Sequence, residues 1–207
     1  MYIDKKIKPN KITLHMIYSG LIGAVLFSLP NIYFKLIGAL FIHLWFILDC
    51  SDGEVARYTK KFSKYGKELD YIAHLINHPL FGFSIFMSLV QLGRYNFYHI
   101  GILFLLSNLI DYLTRNLTTL DIVVQLKEKS GKEIKSVEMH PIKKNILFLT
   151  NIFTIYPNFI LFGVIVYFID YFMDTNILLI YLSINIIFTA TFGVRRLIKF
   201  VKKFYIS

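Results

Sequence analysis

Six stretches of mostly apolar residues, each near the length of about 20 needed to cross a hydrocarbon layer about 30 Å thick, fill most of this 207-residue chain. They run from Ile12 to Leu29, Ile32 to Cys50, Leu69 to Leu92, Tyr98 to Leu113, Ile146 to Tyr171 and Ile177 to Ile198. With 56% of its residues hydrophobic, a soluble domain of this size would have nowhere to hide that surface. The expected fold class is all-α: a polytopic membrane protein of six transmembrane helices, forming one domain over residues 1–207. With their polar ends included, the helices are expected at about 12–29, 32–56, 66–92, 98–113, 146–171 and 177–204, with a cytoplasmic loop at 114–145. In that loop the runs "LDIVVQLKEK" and "KEIKSVEM" flank a Ser-Gly pair, which admits either a small hairpin or a solvated loop.

The net charge of +10 reads first as topology. Lys and Arg collect in loops kept on the cytoplasmic side, and 21 of the 23 fall on one side if the N-terminus is placed there. These are Lys5, Lys6, Lys8 and Lys11, the basic residues of 57–67, those from Arg115 to Lys144, and those from Arg195 to Lys203. Only Lys35 and Arg94 lie across the membrane. Both termini are therefore expected in the cytoplasm. The charge is shared among juxtamembrane segments and forms no single groove, so anionic lipid is the expected surface partner and nucleic acid is not. The basic start and apolar run lack a small-x-small cleavage site, so helix 1 is expected to stay. The lone Cys50 excludes a disulfide within one chain and offers no zinc framework.

The polar interruption "DCSDGEVARYTKKFSKYGKELDYIAH", Asp49 to His74, carries the chemistry. If helix 2 continues through it, Asp49, Asp52 with Gly53, and Ala56 recur at three- and four-residue steps and share a face. Two carboxylates one turn apart can hold a divalent cation, and Gly53 and Ala56 remove bulk beside them. Asp70 and His74 are four apart near the start of helix 3, with Gly66 one turn before Asp70. Two antiparallel helices joined by a short turn would bring these faces together, so one site would hold Asp49, Asp52, Asp70 and His74. Carboxylates at such a position are costly unless paired or coordinated, and three converging would repel without a cation.

This stretch resembles the signature of the CDP-alcohol phosphotransferase (CDP-alcohol phosphatidyltransferase) family, integral membrane enzymes of phospholipid synthesis. The signature runs Asp, two residues, Asp-Gly, two residues, Ala-Arg, eight residues, Gly, three residues, Asp, three residues, Asp. The chain supplies Asp49, Asp52, Gly53, Ala56, Arg57, Gly66 and Asp70 at those spacings, and departs only at the last position, His74. The resemblance implies transfer of a substituted phosphoryl group from a CDP-linked alcohol to an acceptor hydroxyl, with release of CMP. One of the two substrates would be a lipid. It implies two divalent cations, Mg²⁺ or Mn²⁺, on Asp49, Asp52 and Asp70; a CDP-alcohol site at Gly53, Ala56, Arg57 and Gly66; and a homodimer. Oxygen ligands suit those cations, and paired cations stabilise charge on the bridging and leaving oxygens.

His74 leaves three roles open: a general base in place of the carboxylate, a nitrogen ligand to a metal, or a packing residue in a catalytically silent homologue. Asn77 and His78 follow one turn later, before Pro79; they read as packing groups at a proline kink or as lining of an acceptor pocket. Asn108, Asp111 and Asn151 lie at depths from which they could face the site, whereas His15, His43 and His99 read as hydrogen-bonded packing residues and Glu54 as exposed. Arg195 and Arg196 suit either an acceptor phosphate or a cytoplasmic helix end, and "YFIDYFMD" reads as lipid-facing bulk and interfacial anchoring. A small transporter is the rival class, but it predicts inverted repeats and acidic groups at mid-membrane.

Overall fold

The computed structural model describes residues 9–60, 63, 65–129 and 158–206, which form six helices. These are α1 (Pro9–Ser28), α2 (Ile32–Thr59), α3 (Gly66–Gln91), α4 (Phe97–Lys129), α5 (Asn158–Met173) and α6 (Ile177–Ile206). Five are long and apolar enough to cross a membrane; the described part of α5 is apolar but shorter. The chain is an all-helical polytopic membrane protein, as its six apolar stretches predict. Helices solve the backbone problem in lipid, because every interior N–H and C=O finds its partner within the segment.

α1 packs on both α2 and α3; α4 joins α3 and α6, while α5 joins α6, α3 and α2. Lipid tails are as apolar as Leu, so close packing of small residues has to hold such helices together. The α1–α2 crossing shows this directly. A Cβ on Gly38 would lie 2.5 Å from the Phe27 nitrogen, and one on Gly23 would lie 2.9 Å from the Ile42 nitrogen. Only glycine lets the two backbones approach so far. Behind the crossing lie Trp45, Phe27, Phe81, Ile85 and Tyr167, all fully buried.

The end of the bundle opposite the Asp-rich stretch is closed by polar caps. Lys35 is buried and donates to the Phe27 carbonyl at 2.7 Å and to Ser88 Oγ at 2.6 Å, while Gln91 Nε2 donates to the Ser28 carbonyl at 2.7 Å. These carbonyls belong to the last turn of α1, which has no intrahelical donor left. Asp170 does the same work for α6. Its Oδ1 accepts from the Ile177 N–H and its Oδ2 from the Leu178 N–H, both at 2.8 Å. In "YFIDYFMD", Ile169, Tyr171, Phe172 and Met173 are exposed, as lipid-facing bulk predicts, but Tyr167 and Asp170 are fully buried, because a carboxylate that caps a buried helix start belongs inside.

The loop expected at 114–145 is also corrected. α4 continues without a break to Lys129, and "LDIVVQLKEK" is helical, so it forms no strand of a hairpin. Falling hydropathy after Leu113 marks where lipid contact ends, but a helix can run on beyond the lipid, and no Gly or Pro interrupts it between Thr114 and Lys129. "KEIKSVEM", Asn151 and residues 146–157 of the fifth expected helix lie outside the described residues.

Candidate functional site

α2 does run through the polar interruption, ending at Thr59 with Lys60 in the left-handed region at φ 53°. The hydroxyls of Ser51 and Thr59 are absorbed by α2 itself, donating to the Ile47 and Val55 carbonyls at 2.6 and 2.7 Å. Asp49 and Asp52 therefore project from one continuous helix, with Asp70 and His74 on the first turns of α3 opposite.

The geometry brings Asp49, Asp70 and His74 together. His74 Nε2 lies 3.1 Å from Asp49 Oδ1 and 3.3 Å from Asp70 Oδ1. One ligand atom from each of the three falls within 4.8 Å of the others, a spacing suited to a single metal ion. Two carboxylates and an imidazole fit a hard or borderline divalent cation. The three side chains are partly exposed, at 21% for Asp49, 24% for His74 and 45% for Asp70, so ion and substrate have access.

Asp52 stands apart from this trio. Its Oδ2 accepts a 2.8 Å hydrogen bond from Thr13 Oγ1, a buried residue of α1. Asp52 faces a cavity of about 490 Å³ that it shares with Gly53, Ala56, Arg57, Gly66 and Asp70. Six of the signature residues thus line one space, and Asp49 is not among its lining residues. The room above Gly53 abuts the Arg57 guanidinium, whose Nη1 would be 3.3 Å from a Cβ there; at Gly66 the neighbour is Ser63 Oγ at 2.9 Å.

A second cavity, of about 410 Å³, opens between α3 and α4. Asp70, His74 and His78 line it on one side, Asn108, Asp111 and Asn116 on the other. Asp70 and Lys67 border both cavities. Asn108 and Asp111, which the sequence left between packing and site, are on this wall. Asn77 is not: it is fully buried, its amide filling the space over Gly20, where a Cβ would lie 2.6 Å away. Glu54 and Arg195 are exposed, His15 and His99 are exposed, and His43 Nδ1 is 2.8 Å from the Ala39 carbonyl of its own helix.

Sequence reasoning missed Thr13, Trp45 and the pairing of His78. Trp45, the one tryptophan of the chain, meets the His74 and His78 rings edge-on with centroids 5.9 and 5.8 Å away. Only His78 carried a local signal, being one helical turn beyond His74.

The fold and the site define an integral membrane protein with a carboxylate-rich, metal-competent centre beside two cavities. The chain belongs to the CDP-alcohol phosphatidyltransferase family, whose sequence profile matches residues 6–189. That span contains every helix that contributes to the site. A search of curated proteins returns no match to the chain. Membership makes the protein a membrane transferase of phospholipid biosynthesis, with phosphotransfer from a CDP-alcohol to an alcohol acceptor as its class of reaction.

Proposed function

We propose that this protein joins a CDP-linked alcohol to a second alcohol through a new phosphodiester or phosphonate ester, releasing CMP, with His74 as general base. The observation that carries the reading is the position of His74 Nε2, beside the Asp49 and Asp70 carboxylates and on the wall of the second cavity. Asp49, Asp52 and Asp70 would hold two divalent cations, Mg²⁺ or Mn²⁺. Bound there, these supply Lewis-acid stabilisation of the diphosphate oxygens. Gly53, Ala56, Arg57 and Gly66 would receive the CDP moiety in the 490 Å³ cavity, with the Arg57 guanidinium available to a phosphate oxygen. The acceptor would enter the 410 Å³ cavity.

In the transfer, the acceptor hydroxyl loses its proton to His74 Nε2 as its oxygen forms a bond to phosphorus. The bond from phosphorus to the bridging oxygen breaks, and CMP leaves with that oxygen. His74 then returns its proton to water. The basic residues flanking the motif support a cytoplasmic site and cytoplasmic termini, and the family relationship supports a homodimer.

Purified protein in lipid nanodiscs, supplied with Mg²⁺ or Mn²⁺, tests this through CMP release. The substrate panel pairs CDP-diacylglycerol with small polar alcohols, and CDP-linked head groups with diacylglycerol. A productive pair should lose activity on chelation, and His74→Ala should cut turnover about 100-fold or more, the contribution of a positioned base. Absence of CMP from every pair would overturn the enzyme reading in favour of a silent scaffold; full turnover in His74→Ala would overturn the base. The clustering of Asp49, Asp70 and His74 favours one second reading, in which His74 Nε2 ligates a cation. With Mn²⁺ bound, electron spin-echo spectroscopy would then detect a nitrogen coupling that His74→Ala abolishes.

A further inference from the structure

His78 lies four residues after His74 on the same face of α3, and its Nε2 is 2.9 Å from His74 Nδ1. This is a hydrogen bond between two imidazoles. A neutral imidazole has one N–H and one lone pair, so the direction of the bond decides which His74 nitrogen is free to act. The other edge of the His74 ring faces Asp49 and Asp70. Trp45 holds the pair from α2, and the two rings meet at 4.8 Å and 67°. His78 is only 5% exposed and Trp45 fully buried, whereas the His74 side chain is 24% exposed; both histidines line the second cavity.

We propose that His78 is the positioning residue for His74: its Nε2 accepts the Nδ1–H of His74 and so presents the His74 Nε2 lone pair to the Asp49–Asp70 centre. The inference rests on His74 being a working group of that centre. It holds for either role weighed above, because a base and a metal ligand alike require an unprotonated Nε2. The reverse bond, with His78 donating, would put the proton of a neutral His74 on Nε2, where it can neither accept a proton nor ligate. An aspartate at position 74 would need no such partner, since either of its oxygens accepts. The departure of residue 74 from the family signature and the histidine one turn later are thus two parts of one device.

The test uses the full chain in lipid nanodiscs with ¹⁵N-labelled histidine and Mg²⁺, the ring signals being assigned by single substitutions. His74 should carry its proton on Nδ1, with an unprotonated Nε2 and a nitrogen–nitrogen coupling across the bond to His78 Nε2. A His74 protonated on Nε2 and bare on Nδ1 overturns the proposal. Two variants add a kinetic reading with the substrate pair that releases CMP. His78→Leu, which removes the acceptor, should lower kcat about 10- to 100-fold, the usual cost of losing a histidine's orienting partner. KM for the CDP-alcohol should stay within twofold. His78→Gln places an amide oxygen near the former Nε2 and should recover most of kcat. Equal losses in both variants, or no loss in His78→Leu, overturn the proposal. Failure of the underlying reading looks different: His74→Ala would keep full turnover, or no pair would release CMP, while the nitrogen spectra still report the direction of the bond.

Discussion

Replacing Thr13 by valine removes one hydroxyl on α1 and should be felt at the proposed metal centre between α2 and α3. Val matches Thr in shape, so no cavity opens; what disappears is the 2.8 Å hydrogen bond to Asp52 Oδ2. Thr13 also lies 3.3 Å from the Pro9 carbonyl, but a hydroxyl has one proton and the shorter, charge-assisted bond takes it. A hydrogen bond to a charged group contributes about 1.5–3 kcal/mol when buried. Asp52 is only half-buried, which reduces this to about 1–1.5 kcal/mol. Expressed as affinity, that is about a fivefold to tenfold weakening of cation binding, as Asp52 loses the contact that holds its carboxylate toward the cavity. Trp45 fluorescence provides the assay, because this sole tryptophan sits against His74 and should respond when Mg²⁺ is titrated into nanodisc-embedded protein. Thr13→Ser keeps the hydroxyl and should behave as wild type. If Thr13→Val binds Mg²⁺ within twofold of wild type while Thr13→Ser does too, the assignment of Asp52 as a ligand braced by α1 is wrong.

Gly38→Ala should destabilise the bundle by at least about 1–3 kcal/mol, the cost of overpacking, because its Cβ would fall 2.5 Å from the Phe27 backbone nitrogen; SDS titration in mixed micelles measures the loss. Asp170→Asn leaves one acceptor oxygen for two helix-start N–H groups, and should lower stability in the same assay by about 1–3 kcal/mol; a neutral result would show that α6 needs no carboxylate cap. His74→Asp restores the family's last signature residue and should retain more CMP release than His74→Ala by about tenfold or more; equal activities would mean that residue 74 takes no part in proton transfer.

The helices and the residues of the candidate site were legible in the chain because both are local properties. A span is set by a run of apolar side chains, and the faces carrying Asp49, Asp52, Asp70 and His74 follow from the three- and four-residue steps of one helix. Even α2's passage through the polar motif could be read before any tertiary contact was known. The expectation that the fourth helix stops at residue 113 failed because hydropathy reports the edge of the lipid, while the helix itself continues through polar residues to Lys129.

What the tertiary structure alone decided depends on contacts between residues far apart in sequence. The close approach at Gly23 and Gly38 sets how α1 lies on α2, and only that crossing delivers Thr13 to Asp52 across 39 residues. Likewise, nothing in "YFIDYFMD" distinguishes Asp170, a buried cap for α6, from Asp174, which is exposed and pairs with Arg94. For His78, spacing placed it beside His74, but the ring rotations that join Nδ1 to Nε2 are set by Trp45 from another helix. Periodicity determines which residues share a face; side-chain packing between helices determines which atoms meet.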